Sequence, residues 1–326
     1  MPGPWKLLRA LAATEGERPG RQRALRLAGL AVIVAFAALA FAEVDVRRVL
    51  STLAAANPMW LVAAALANVV NLWVHAVRWA VVIRQPAVRL RLSDVFEALV
   101  AGYATGIAVP ARAGDLVRSH LLARRTGLST PEVLASAAVD YVIGTAALVP
   151  LLALVGLATP LPAWARDAML AAAVASGAGV VGVFLLRPKP GAPAADSGIG
   201  GLVSRFRGGL AVVREPGAIA RCAAWGLVGW GADLLVAWCA LAAVGLDAGW
   251  AEAGLAVVAT AAVNAVAISP GNAGPFELAA MLPLTGVGIA HEPALAFALL
   301  LHVAHLAPVA GIGAVVLFQE AREASP

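Results

Sequence analysis

The chain has 326 residues, of which 61% fall in the set AVILMFWYC and 13% are charged, and its net charge is +5. Soluble domains carry roughly 25% charged residues, so a water-soluble globule of this size could not cover its surface with so few. Secreted disulfide scaffolds, disordered tails and ordinary cytosolic enzymes are excluded, and lipid is the solvent for most of the chain.

Residues 1–26 form a basic segment holding six of the 24 Lys and Arg. The first uncharged run, Leu27–Ala42, follows it. Ala40-Phe41-Ala42 fits a small-x-small cleavage site, but the basic region before it is long for a signal peptide, and an uncleaved anchor is expected. Pro58–Val77 is the second run. At its end His75, Arg78 and Trp79 fall at i, i+3 and i+4, on one helix face. Arg78 either snorkels to headgroups or faces the bundle and helps hold an anionic headgroup.

Basic residues flank both ends of segment 93–117, which therefore enters and leaves on one side and reads as a re-entrant hairpin. Its centre is the string Val109-Pro110-Ala111-Arg112-Ala113-Gly114-Asp115-Leu116-Val117-Arg118. Pro110 and Gly114 break helix geometry there. Arg112 and Arg118 bring guanidinium forks suited to phosphate oxygens, and Asp115 can hold one of them in place. The same charges also fit a loop that faces water.

Tyr141–Ala165 is read as a span, with Asp140 at the start of its helix, and Ala168–Leu186 as the next. The stretch 187–221 carries six Lys and Arg and four prolines, and divides the chain into membrane halves 27–186 and 222–319. In the second half, Cys222–Leu246 is interrupted only by Asp233, for which a buried polar partner is expected, as for Asp140. Ala253–Phe276 is the sixth span. A second broken segment, 270–290, begins with Ser269-Pro270-Gly271-Asn272-Ala273-Gly274-Pro275-Phe276-Glu277. Both broken strings place Gly four residues after Pro with an acid following, either as a paired feature of two repeats or by coincidence. The last run, Pro293–Gln319, holds His302 and His305. They lack a third ligand on that helix, and packed imidazoles are expected rather than a metal.

The segments 1–26, 84–125 and 187–221 hold 19 of the 24 basic residues, so they are expected in the cytoplasm, and the N-terminus with them. Cys222 and Cys239 are 17 residues apart, about 25 Å along a helix, too far for a disulfide. No nucleophile elbow, Walker loop or zinc motif occurs, and no basic face is interleaved with aromatics for nucleic acid. The fold class is all-α: a polytopic bundle of about seven spanning helices plus two re-entrant or broken segments, near 93–117 and 270–290, with an internal repeat as an option.

On these strings the chain resembles the transmembrane region of lysylphosphatidylglycerol synthase, a bacterial and archaeal family also called flippase-like. The likeness runs from about Val44 to Phe318. It rests on Asn57-Pro58 with the run to Arg78-Trp79, on Pro110…Arg112-Ala113-Gly114-Asp115…Arg118, on Ala123-Arg124-Arg125-Thr126-Gly127, and on Pro270-Gly271…Gly274…Phe276-Glu277. The resemblance implies a bundle whose re-entrant segments enclose a cavity for an anionic or modified lipid, in a bacterial or archaeal plasma membrane. It carries Arg112, Asp115, Arg118 and Glu277 over as site residues. Where the family often has Glu-Arg and then an acid three residues on, this chain has Asp140, Tyr141 and Gly144. No aminoacyl-transferase domain lies within the 326 residues, so the chain is not expected to aminoacylate lipid.

The expected activity is movement of a phosphate-bearing lipid between leaflets, with Arg112, Asp115, Arg118, Glu277 and Arg78 at the substrate, no cofactor and no metal. The alternatives are a membrane-embedded enzyme acting on a lipid headgroup, or a non-transporting partner of a lipid-modifying or glycosyl-transferring enzyme. Oligomeric state is left open.

Overall fold

A computed structural model of the chain describes residues 31, 33–36, 38–40, 44–83, 90–109, 113–158, 163–186, 198–210, 215–247, 249–266 and 269–323. Among these residues the fold is all-α, as the composition requires. The helices are α1 (Val46–Ala55), α2 (Pro58–Ile83), α3 (Leu92–Ala108), α4 (Ala113–Thr126), α5 (Thr130–Ala146), α6 (Val149–Ala158), α7 (Ala163–Leu186), α8 (Gly198–Gly209), α9 (Pro216–Ala243), α10 (Trp250–Val266), α11 (Pro275–Gly286) and α12 (His291–Glu323), with a 3-10 turn at Pro270–Asn272. Four stretches have the length and apolarity to cross a bilayer: 58–83, 130–154, 216–243 and 291–323.

Local chemistry sets the boundaries. Asp45 caps α1 by accepting from the Arg47 N–H at 2.9 Å. Glu132 accepts from both the N–H and the hydroxyl of Ser129 at the start of α5. Pro58, Pro216 and Pro275 each open a helix, where a missing N–H costs nothing.

Three contacts fix the two ends of the bundle. At one end the Asn57 N–H donates to the Ala243 carbonyl at 2.8 Å, so the start of α2 meets the end of α9. Arg48 on α1 reaches Glu292 at the start of α12 at 3.6 Å, on the same end. At the opposite, basic end Arg125 bonds Glu97 on α3 and Glu320 on α12, each at 2.6 Å. Burial works against the Arg125 charge, but the hydrogen bonds to Glu320 and Glu97 hold its pKa above the ordinary arginine range. Glu292 and Glu320 are 28 residues apart on one helix, about 42 Å, the thickness of a bilayer with its headgroups.

With the ends assigned, both broken segments become hairpins. α3 rises from the basic end and α4 returns to it, with Arg125 closing the open side onto Asp94 and Glu97. The arms touch backbone to backbone: a Cβ at Gly114 would collide with the Gly102 carbonyl, and one at Gly102 would lie 2.7 Å from Arg118 Cβ. This is the hairpin expected at 93–117, with its second arm running on to Thr126.

The second hairpin corrects the sequence reading. Ala253–Phe276 is not one spanning helix, because α10 ends at Val266 and α11 starts at Pro275. Between them Gly271 (φ +57°), Asn272 (+56°) and Gly274 (+91°) take left-handed backbone that cannot continue an α-helix. The chain turns there and goes back to the end it came from, where Trp250 stacks on Trp238 at 5.1 Å and α12 begins. The described part of the break thus falls at 269–274, and most of 275–286 is regular helix. The two hairpins enter from opposite ends, and their tips meet: a Cβ on Gly271 would lie 3.8 Å from the Ile107 carbonyl oxygen. Opposed, inverted elements of this kind are a recurrent plan of transporter folds.

A second correction concerns Asp140. It does not begin a helix. The α5 helix starts at Thr130, ten residues earlier, and turns at Ala147-Leu148 before α6, so Asp140 is deep inside the bundle. The main core draws on both halves of the chain, with Ala64, Val236, Phe276 and Phe297 in one cluster. Ala40 belongs to this core, and Phe36 and Ile33 lie against Gly274, so the first apolar run packs on the second hairpin. Within the basic stretch 187–221, α8 lies against α5, and Leu210 is buried beside Val139.

Candidate functional site

The two hairpin tips are flanked by a set of buried polar groups at membrane depth. Such groups are rare in lipid-facing chains and mark function by default.

On the first hairpin, Arg118 lies in α4, five residues after the break. Its Nη2 donates to Asp115 Oδ1 at 2.7 Å, one turn back on the same helix. The guanidinium sits over the Trp79 ring at 4.9 Å and near the Tyr103 ring at 5.9 Å. Its side chain is only 5% exposed, and Nε has no hydrogen-bond partner among the described residues. A buried cation with one carboxylate partner and an unspent N–H is a ready donor for an anionic oxygen. Asp115 is more open, at 26%. Arg112 lies outside the described residues.

On the second hairpin, Glu277 faces His302 of α12. Glu277 Oε1 is 2.5 Å from His302 Nδ1, and Oε2 accepts from the Gly274 N–H at 2.7 Å. His302 Nε2 lies 2.9 Å from the Gly271 carbonyl. A carbonyl only accepts, so Nε2 carries a hydrogen, and the short Nδ1–Oε1 contact needs a second proton between the two atoms. The Phe276 ring stacks on the imidazole at 4.2 Å. Glu277 therefore engages the last helix, where the sequence reading has it at the substrate.

Between these poles runs a polar path. His305 donates through Nδ1 to the Leu301 carbonyl at 2.9 Å, and its Nε2 lies 3.4 Å from Asp233 Oδ1. Asn71 Nδ2 donates to the same Asp233 oxygen at 2.7 Å, which supplies the buried partner expected for Asp233. One turn along α2, His75 Nδ1 is 3.4 Å from the Tyr103 hydroxyl. Tyr103 in turn borders Arg118. Asn68 completes the set: its Nδ2 donates to the Ala304 and His305 carbonyls at 3.2 and 3.0 Å. The Ala304 carbonyl is the one that Pro308, lacking an N–H, leaves open in α12. Asn68, Asn71 and Tyr103 carry no charge and have no motif. Only the i, i+3, i+7 helical spacing of Asn68, Asn71 and His75 along one apolar run could have marked the two asparagines.

Arg78 does not snorkel: Nε and Nη2 donate to the two oxygens of Asp140 at 2.7 and 3.1 Å, both side chains below a tenth exposed. A Cβ on Gly144 would sit 2.5 Å from Arg78 Nη1, so the missing side chain at this position is the space the guanidinium fills. Trp79 Nε1 donates to Ser136 Oγ at 3.1 Å and Trp230 Nε1 to the Gly144 carbonyl at 2.8 Å, locking α2, α5 and α9 together. The pair Arg78–Asp140 is a structural pin.

Among the described residues no group of three or more His, Cys, Asp and Glu stands together as a metal site. Both nitrogens of His302 and of His305 already face other partners.

Residues 26–313 match the family model described as the lysylphosphatidylglycerol synthase TM region, and the chain belongs to this family of integral membrane domains. It is similar to a protein named glycosyltransferase AglD from Haloferax volcanii, with 27% identity over 334 residues. That alignment takes in 91% of this chain and 52% of the relative, so the chain spans about half the length of the curated relative it matches.

Proposed function

We propose that the protein is a lipid translocator, which moves a phosphate-bearing lipid between leaflets along the seam where the two hairpin tips meet. The observation that carries this reading is Arg118: a buried guanidinium beside the break of the first hairpin, with one N–H that has no partner among the described residues. Arg118 would take the headgroup phosphate through that edge while Asp115 holds Nη2, and Arg112, six residues earlier in the sequence, would add a second fork. Hairpins entering from opposite ends give each tip access to one leaflet, so parting of either tip pair from its neighbours would expose the seam to one side at a time. The basic end is read as cytoplasmic, with the N-terminus, in the plasma membrane of a bacterium or archaeon.

The test is transport in vesicles. Purified protein in phosphatidylcholine vesicles containing phosphatidylglycerol, doped with a fluorescent phosphatidylglycerol, should move the probe from the inner leaflet to where dithionite quenches it. Protein-free vesicles should not. If the two behave alike, the translocator reading fails.

The name of the relative favours a second reading, in which the membrane domain holds a lipid-linked sugar for a glycosyl-transferring partner and moves nothing. Then the protein would be inert in vesicles and would co-purify with that enzyme.

A further inference from the structure

We infer that Glu277 and His302 form a proton-operated latch between the second hairpin and the last helix, and that its proton is the ion that drives lipid movement. This rests on the translocator reading and supplies its driving force.

The argument begins with counting hydrogens. The Nε2–H of His302 is committed to the Gly271 carbonyl at 2.9 Å, in the left-handed turn at the hairpin tip. The Nδ1 contact with Glu277 Oε1, at 2.5 Å, therefore closes only when one more proton sits between them. In that state His302 bridges α12 to both the turn and the first residues of α11, and imidazole plus carboxylate carry no net charge. When the proton leaves to water, a lone pair on Nδ1 faces a carboxylate oxygen across the same gap. The contact turns repulsive, and a net negative charge remains in an apolar setting. It stays only if water or a cation reaches it. The imidazole relieves the repulsion by carrying its one remaining hydrogen on Nδ1, toward Glu277. That gives up the Nε2 bond to the Gly271 carbonyl and frees the turn, which abuts Ile107 at the tip of the first hairpin. Proton loss at the latch and parting of the two tips are thus one event. The proton returns from whichever side the seam then faces, and no other bond changes.

Among the described residues the latch has no other charge partner. From α11 it meets Glu277 itself, whose second oxygen is held by the Gly274 N–H. From α9 it meets Asp233, engaged with Asn71 and His305. From α2 come neutral Asn68 and, a turn on, His75, and from α3 comes Tyr103. On α10, Glu252 is at the far end, bonded to the Gly249 N–H, and Asn264 pairs with Asn272. The described part of the first apolar run, beside Gly274, has no titratable residue. On α12 itself His305 sits one turn below, with Nδ1 2.9 Å from the Leu301 carbonyl and Nε2 3.4 Å from Asp233 Oδ1. Phe276 touches both imidazoles. Two His–carboxylate pairs on successive turns give the proton a way from the latch toward the centre of the bundle.

The test uses the same phosphatidylcholine and phosphatidylglycerol vesicles with the fluorescent probe, a pH gradient of one unit in either direction, and the membrane potential clamped by potassium and valinomycin. One proton per lipid gives an accumulation ratio of up to about tenfold per pH unit, reversing with the sign of the gradient. Glu277→Gln keeps the size of the side chain and can still bond Gly274 and His302. In this variant the response to the gradient should vanish, with the leaflet ratio returning to one. His302→Gln should behave alike. A wild-type distribution indifferent to both gradients overturns the inference, as does a Glu277→Gln response equal to wild type. The first needs no variant, so misfolding of a mutant cannot shelter the proposal. If the wild-type protein moves no lipid at all, the translocator reading falls and the latch with it. If lipid moves but ignores the gradient, only the latch falls.

Discussion

Arg78 and Asp140 close a two-point ion pair across the α2–α5 interface, with both carboxylate oxygens engaged and both side chains out of reach of solvent. A pair of this kind holds the helices in register, but its energy depends on both partners being present. Breaking a buried ion pair costs about 3–5 kcal/mol, because the survivor is left as an uncompensated charge. Asp140→Asn should therefore lower the melting temperature in detergent and the yield of monodisperse protein, and Arg78→Met should do the same. The double variant Arg78→Met with Asp140→Leu should recover much of the loss. If the single variants melt like wild type, the pair is not the pin described.

The residue opposite this pair gives a second expectation. Gly144 carries no side chain, and the Arg78 guanidinium occupies the volume a methyl would take, with Nη1 at 2.5 Å from that position. Overpacking in a tight site costs about 1–3 kcal/mol. Gly144→Ala should destabilise by that order in a melting experiment, and the effect should disappear in the Arg78→Met background. Equal destabilisation in both backgrounds would mean that the α5 backbone, and not Arg78, is what the methyl disturbs.

Gly144 also shows what the sequence could and could not reveal. The apolar runs, the basic clusters and the Gly–Pro breaks are local, so the helical membrane class and the first hairpin follow from them directly. Ala253–Phe276 misleads because hydropathy sees only apolar residues. The break there is made by backbone angles at Gly271, Asn272 and Gly274, which a hydropathy average ignores. Pairings such as Arg78 with Asp140, 62 positions apart, or Glu277 with His302, 25 apart, depend on which helices touch, and no spacing rule reaches that far. At position 144 the comparison with the family pattern pointed to a missing acid, while the structure shows a space used by an arginine from another helix.

Orientation is open to a direct measurement. Arg48, 74% exposed, lies at the end of the bundle opposite Arg125, and Arg205 is exposed on α8 in the basic stretch. Both native cysteines are buried. In intact cells an impermeant maleimide should label Arg48→Cys, and should reach Arg205→Cys only after permeabilisation. The reverse pattern would place the basic end outside and contradict the cytoplasmic assignment.

The phosphate site makes the last prediction. Arg118 is stacked over Trp79 and tied to Asp115, so removing it affects packing as well as charge, and Arg118→Ala alone would not separate binding from folding. Arg118→Lys does separate them. The ammonium keeps the charge, the aliphatic stem and a contact with the Trp79 ring, so the melting temperature should stay close to that of wild type. It loses the planar fork, and with it the N–H edge that has no partner among the described residues. A hydrogen bond to a charged group contributes about 1.5–3 kcal/mol, so lipid affinity in the vesicle assay should fall roughly 10- to 150-fold. Asp115→Asn should be milder, because it removes the orienting carboxylate and leaves the cation in place. Arg112→Ala should cost transport in the same range if two forks share one phosphate. A lysine variant that transports lipid with wild-type affinity would remove the guanidinium from the site, and with it the observation on which the translocator reading stands.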